Sequence, residues 1–355
     1  MKIVHTADIH LESAFVKLTP DQVRERKNEL YLTLSTVVDE AKRAGAELII
    51  IAGDLFDTEK ISRRAAERVR SIIEKNEDID FLYLRGNHEG GAFLEKLTSL
   101  PKNLRCFGDN WTYFEYGDVV IAGRNELSTN MFDELSVKPG KKNIAVLHGA
   151  VKEHSGEGEG ISLPDARRSG IDYLALGHYH SYTTYDLGEG REAVYCGAPE
   201  GRGFDEPGRH GFVLIDTDYS TVRHVFCPCA RREVRIVEVD ISDAATRLEI
   251  ENRLERAIAS LPPSDLVRVL LTGYRVPEFY VDTASLIASY KSRFYYFEIK
   301  DETKMKIDPM AYAYDKSLKG EFIRLVLASE ELSDEMKDSI IRCGISALMG
   351  EDCEV

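Results

Sequence analysis

Carboxylates, imidazoles and one amide recur in this chain as short motifs, each placed directly after an apolar run. Asp8-x-His10 follows Ile3 to Ala7, Gly53-Asp54-x-x-Asp57 follows Leu48 to Ala52, and Gly86-Asn87-His88-Glu89 follows Phe81 to Leu84. Further on, His148-Gly149 follows Ile144 to Leu147, and Gly177-His178-x-His180 follows Tyr173 to Leu176. Oxygen and imidazole nitrogen are donors for divalent metal ions. An aliphatic, β-branched run that stops at a glycine reads as a strand buried on both faces, ending at the edge of a parallel sheet, where open α/β sheets bind ligands. Five such ends in one chain read as a single dinuclear metal site with Asp54 at its centre. Each motif alone is a weak signal, since D-x-H is common by chance and a lone histidine at a strand end usually has a structural role. His5, in mid-strand, is read as structural.

The elements that must carry these residues alternate between strand and helix. Apolar residues at Leu30, Leu34, Val37, Val38 and Ala41 give an amphipathic helix over Asp21 to Ala44, ended by Gly45, and a charged helix is expected from about Ser62 to Lys75. A short helix turns Phe93, Leu94 and Leu97 inward. This alternation implies a layered α/β fold. From Leu104 the pattern changes to short strands separated by glycine-rich turns, including Phe212 to Asp216 and Val222 to Phe226, which are expected to form a second, largely antiparallel sheet packed on the first. Lys152 to Gly160 reads as a mobile loop. After residue 230 the organisation resets, with strands expected at Val234 to Ile241, Leu266 to Thr272 and Phe294 to Ile299 and helices at Ala244 to Leu261 and Thr283 to Tyr290. Two helices, Leu318 to Ala328 and Glu331 to Met349, end the chain. The domains are therefore placed at 1–230, 231–310 and 311–355.

At 355 residues, 43% apolar and 30% charged, the chain has the length for two domains and the composition of a globular protein. No window approaches the roughly 18 uncharged apolar residues of a membrane span. The N-terminus enters a strand at once without a signal peptide, and the six cysteines are scattered, so a reduced, cytoplasmic protein is expected. Cys227-Pro228-Cys229 lacks a second pair and is read as incidental. A net charge of −15 argues against a free-standing nucleic-acid binder. Two divalent cations would nevertheless add four positive charges where a phosphodiester must sit.

Taken together and in this order, the five motifs resemble the calcineurin-like metallophosphoesterases over residues 1 to about 200. The resemblance implies an α/β two-sheet sandwich flanked by helices, with a small C-terminal α/β cap domain and terminal helices. It places one metal on Asp8, His10 and His180 and a second on Asn87, His148 and His178, with Asp54 bridging. Manganese is the implied metal; iron and zinc also suit the donors. His88, one residue past a ligand, is then free to act as general acid, and Asp57 to hold its imidazolium. The alternative for Asp57 is a helix N-cap.

Within that superfamily the opening His5 to Leu11, the turn Ala52 to Asp57, and Gly197-Ala198-Pro199-Glu200 with Gly203-Phe204 and Gly211-Phe212 resemble DNA-repair exonucleases of the SbcD/YhaO type. That resemblance implies a DNA substrate, a cap that helps to hold DNA, a homodimer, and an SMC-like coiled-coil ATPase partner of the SbcC/YhaN type. Glu89 departs from the nuclease pattern, which has aspartate there, and matches the habit of serine/threonine protein phosphatases. Thr58 and Glu59 depart from the phosphatase, which has arginine after the second aspartate. The expected function is a metal-dependent DNA exonuclease or endonuclease. The alternatives are a calcineurin-like protein phosphatase or cyclic-nucleotide phosphodiesterase, and a non-catalytic DNA-tethering subunit, which the full ligand set disfavours. The last helix carries a broad apolar stripe (Leu332, Met336, Ile340, Cys343 and Ala347, widened by Ile341, Ile345 and Leu348) that is expected to dock the ATPase, with Gly344 weakening the helix.

Overall fold

The computed structural model describes residues 1–152, 160–275, 281–306, 312 and 314–349. Most of the segment expected to be a mobile loop, 152–160, lies outside these. The chain divides into two compact units, Met1–Arg235 and Ile236–Val355.

In the first unit, β1 (Lys2–Thr6), β2 (Leu48–Ala52), β3 (Asp80–Leu84) and β4 (Leu104–Cys106) run parallel, and β11 (Gly211–Asp216) and β12 (Arg223–Pro228) extend the sheet antiparallel beyond β1. All five residues of β2 are buried because the strand has two covered faces. Ile49 and Ile51 enter the core shared with helices α1 (Pro20–Ala44) and α2 (Arg63–Glu74), whereas Leu48, Ile50 and Ala52 enter the core between the sheets. Burial of one such side chain contributes about 1.5–3 kcal/mol relative to exposure. Helix α1 starts at a Thr19/Gln22 capping box with Pro20 in its first turn and stops at Gly45, which takes the left-handed conformation.

The second sheet has the order β5 (Thr112–Tyr116), β6 (Val119–Gly123), β7 (Lys142–His148), β8 (Tyr173–Gly177), β10 (Arg191–Tyr195), β9 (Thr183–Gly188). Its inner residues Ile144, Val146, Tyr173 and Ala175 meet those of β2 and β3, while Ala145, Leu147, Leu174 and Leu176 enter an outer core. Three expectations are corrected here. The sheet is mixed, not largely antiparallel, because β6–β7, β7–β8 and β8–β10 pair parallel. The strands near 212–216 and 222–226 belong to the first sheet, where β11 pairs with β1. The five strand ends that carry the motifs accordingly come from both sheets and not from one edge.

Short helices α3 (Ala92–Lys96) and α4 (Leu163–Ser169) complete this unit, and α3 buries Phe93. The second unit holds a three-stranded sheet of β13 (Val234–Asp240), β14 (Leu266–Thr272) and β16 (Tyr296–Asp301), a small pair β15 (Tyr274–Arg275) and β17 (Lys304–Met305), and helices α5 (Arg247–Ile258) and α6 (Thr283–Tyr290). Helices α7 (Leu318–Ala328) and α8 (Asp334–Met349) pack on one another through Ile323, Val326, Ile341 and Ile345. Part of the stripe expected to dock a partner, Leu332, Ile341 and Ile345, is thus covered within the chain. Gly344 has a packing reason, since a Cβ there would overlap the Phe322 ring. Cys227 and Cys229 are free and pack on the core. No helix among the described residues is long and apolar enough to cross a membrane.

Candidate metal centre

The loops after β1, β2 and β3 bring Asp8, His10, Asp54, Asp57, Asn87 and His88 to one place, and the last residue of β7, His148, and the loop after β8, with His178 and His180, meet them. Backbone bonds zip the first two loops together: Asp8 N to Gly53 O (3.1 Å), His10 N to Asp54 O (3.0 Å) and Asp57 N to Leu11 O (3.0 Å). Asp8, His10, Asp54 and His178 all have positive φ (52°, 49°, 49° and 111°). Such strain in residues with a Cβ persists only where the surroundings over-determine it, and it gathers at functional sites. Two glycines permit the close approach. A Cβ on Gly86 would overlap the Asp54 carboxylate, and one on Gly53 would overlap the His148 ring.

Asp54 lies at the focus. Its Oδ1 accepts the His88 N–H at 3.0 Å, and its Oδ2 is 3.2 Å from His148 Nε2, 3.7 Å from His10 Nε2 and 3.9 Å from His88 Nε2. Burial opposes ionisation of Asp54, but His148, the His88 N–H and His10 outweigh it and hold the carboxyl well below its usual range. His148 shows the reverse: burial works against its charge, yet Asp54 and Asp8 lift the imidazole to about 9. Asp8 accepts the His178 N–H on both oxygens (3.0 Å each), and burial pushes it up to about 6 despite His148 and His180.

Three groups have donor atoms mutually within 4.8 Å: Asp8, His10 and His180; Asp8, Asp54 and His148; and His10, Asp57 and His88. Asn87 Oδ1 is 2.8 Å from His148 Nε2. The His178 ring is 5.5 Å from that of His148, so it borders the cluster without belonging to those groups. The donors fit divalent cations on electronic grounds. With Nδ1 of His148 facing the Ala52 carbonyl (2.9 Å), its Nε2 lone pair meets the lone pairs of Asn87 Oδ1 and Asp54 Oδ2, and His10 Nε2 and His180 Nε2 face each other at 3.1 Å. Acceptors converging in this way repel unless a proton or a cation lies among them.

His88 is 44% exposed at its side chain and stands edge-on to His10, with ring centroids 4.8 Å apart. Asp57 Oδ1 is 3.6 Å from His88 Nδ1 but only 2.9 Å from both His10 Nδ1 and Arg202 Nη1. The cap of α2 is Ser62, not Asp57. His5 is fully buried behind the site against the Tyr173 hydroxyl and the Leu176 carbonyl (3.2 Å each), and burial lowers its pKa to about 3.

Residue-by-residue reading of the sequence missed Arg202 and Glu206. Glu206 accepts from His180 Nδ1 at 2.6 Å and from Arg202 Nη2 at 2.8 Å. Their loop is anchored by buried Glu200, which accepts from Arg26 (2.9 Å), Thr33 (2.9 Å) and Arg231 N (2.8 Å). Five glycines from 197 to 211 mark the loop in the sequence, but nothing there points to its destination. Glu89 acts locally: fully buried, it accepts from Phe56 N (2.9 Å), the Tyr83 hydroxyl (2.8 Å) and Gly86 N (3.2 Å), tying the Asn87 turn to the Asp54 turn.

Residues 1–182 match the calcineurin-like phosphoesterase family. The chain belongs to that family. It is 24% identical over 307 residues to the uncharacterised metallophosphoesterase YhaO of Bacillus subtilis, covering 79% of this chain and 74% of that one. It is 28% identical over 291 residues to the DNA double-strand break repair protein Mre11 of Methanopyrus kandleri, covering 72% and 63%. The Mre11 of Saccharolobus solfataricus is 24% identical over 370 residues, with 96% of this phosphoesterase and 94% of the relative covered.

Proposed function

We propose that this phosphoesterase is a DNA nuclease of the repair type, cleaving phosphodiester bonds with two divalent metal ions, manganese in the first instance. The observation that carries the reading is the convergence of the His148 and His10 imidazoles on Asp54 Oδ2, with half-exposed His88 beside them. Asp8, His10 and His180 would hold one ion and Asn87, His148 and His178 the other, with Asp54 between. Bound there, the ions supply Lewis acidity toward a phosphodiester and lower the pKa of water. His88 would protonate the leaving oxygen: its backbone is pinned to Asp54 and its Nδ1 faces Asp57, leaving Nε2 toward the site. DNA is favoured over phosphoprotein by the relationship to Mre11 along most of the chain. Glu89 does not weigh against it, because as a buried brace of the loop it says nothing of substrate.

In this reading the segment after residue 230 is a cap that helps to hold DNA, and the chain works as a homodimer. The exposed apolar residues of α8, Met336, Ile340 and Leu348, dock an SMC-like ATPase. Labelled single- and double-stranded DNA, a phosphopeptide and a cyclic nucleotide, each incubated with the protein and manganese, test the substrate: cleavage of DNA alone is expected, and turnover of the phosphopeptide without DNA cleavage would refute it. Co-purification with the ATPase tests the docking, which Ile340→Glu should abolish; retention would refute it.

A further inference from the structure

Behind His10 and His180 lies a continuous polar strap. Glu206 Oε1 takes the hydrogen bond of His180 Nδ1 at 2.6 Å, and Arg202 bonds Glu206 Oε1 through Nη2 (2.8 Å) and Asp57 Oδ1 through Nη1 (2.9 Å). Asp57 Oδ1 lies 2.9 Å from His10 Nδ1, close in distance though not aligned as a hydrogen bond. The strap closes on itself where His10 Nε2 meets His180 Nε2 at 3.1 Å. Glu206 is buried, and the side chains of Arg202 and Asp57 are only 20% and 24% exposed.

A carboxylate that holds the Nδ1 proton of a histidine fixes the tautomer whose Nε2 lone pair is free, and makes that nitrogen a better donor to a metal. Here Glu206 serves His180 in this way, the Asp57 carboxylate stands 2.9 Å from His10 Nδ1, and one guanidinium spans both carboxylates. The planar fork of arginine sets the separation of the two carboxylates and offsets their repulsion, which a lysine ammonium could do for only one at a time. On the other side of Asp54, His148 Nδ1 faces a neutral acceptor, the Ala52 carbonyl. The buried Glu200–Arg26 anchor keeps the strap in place, because Arg26 Nη2 also bonds the Gly201 carbonyl at 2.6 Å, one residue before Arg202.

We infer that Arg202 and Glu206 are positioning residues that make the two metal positions unequal: the position of Asp8, His10 and His180 binds a divalent ion more tightly than that of Asn87, His148 and His178, and the difference depends on the strap. The inference rests on the ligand assignment proposed above. It is tested on the full chain, stripped of metal and titrated with manganese by calorimetry. Wild type should show two classes of site. Glu206→Gln and Arg202→Met should each weaken the tighter class by about 10- to 100-fold, the usual effect of losing such a partner, and leave the weaker class alone. Arg202→Lys should fall between Arg202→Met and wild type, and the double variant should be no worse than the more affected single one. Wild-type binding by both Glu206→Gln and Arg202→Met would overturn the inference, as would equal weakening of both classes. His180→Ala is measured in parallel: if it keeps both ions, the ligand assignment itself is wrong. Should Glu206→Gln not fold, Glu206→Asp, which keeps the charge but shortens the reach, is judged by the same outcomes.

Discussion

Gly86→Ala asks whether Asp54 is shared between two metal positions. The added Cβ would stand 2.6 Å from Asp54 Cγ and closer still to its Oδ1 and backbone nitrogen. Neither neighbour can yield by rotating a flexible tip, since Oδ1 is held by the His88 N–H and the Asp54 backbone is locked at φ 49° by bonds to the β1 loop. Relieving the overlap requires a shift of the turn, and overpacking of this kind costs about 1–3 kcal/mol. Each kcal/mol lowers the melting temperature of a unit this size by about 2–4 °C, so a fall of ~2–12 °C is expected. Gly140→Ala is the control, because Gly140 has φ +78° with nothing within 4 Å of the new Cβ. There only the left-handed strain of about 1–2 kcal/mol applies. The melting shifts overlap, so manganese binding decides: Gly86→Ala should lose affinity at both positions, and Gly140→Ala at neither. Two ions bound by Gly86→Ala with wild-type affinity would refute the shared role of Asp54.

His88→Ala should keep both ions by elemental analysis and lose roughly two to four orders of magnitude in turnover, the range for a general acid; loss of the ions would make His88 a ligand. Truncation after Arg235 keeps Arg232, which bonds Glu29 at 2.7 Å, and should impair cleavage of duplex DNA far more than of bis-p-nitrophenyl phosphate. Equal loss of both activities in the folded truncation would count against the cap. Metal-free protein should lose stability as pH rises from 7 to 9: the folded pKa of His148, about 9, lies above its unfolded 6.5, so its contribution is complete below 6.5 and gone above 9. Thermal melts in chelator should show that fall and melts in manganese should not; a flat chelator profile would mean His148 is not paired with Asp54.

The strand ends were legible because β1, β2, β3, β7 and β8 are buried on two faces, and such strands read as unbroken apolar runs that stop where the polar loop begins. The same property hid their division between two sheets. The runs of β2 and β7 look alike, and only pairing, which is non-local, separates them. Glycine-rich turns suggested antiparallel hairpins after residue 104, but β6 to β7 and β8 to β10 are crossovers that return parallel. The strand β11 pairs with β1 from Lys2↔Asp216 to His5↔Val213, across most of the first unit, so no local signal could assign it. Arg202 and Glu206 were overlooked for a related reason, since Arg202 meets Asp57 across 145 positions. In α8 the width of the apolar stripe was readable, but which part of it is covered within the chain was not.

The central claim is that Asp54 stands between two divalent ions, and anomalous diffraction from crystals soaked in manganese tests it most directly. Two peaks are expected about 3.5–4 Å apart, one beside His10 and His180 and one beside Asn87 and His148, with the Asp54 carboxylate between. A single peak, or peaks away from Asp54, would contradict it.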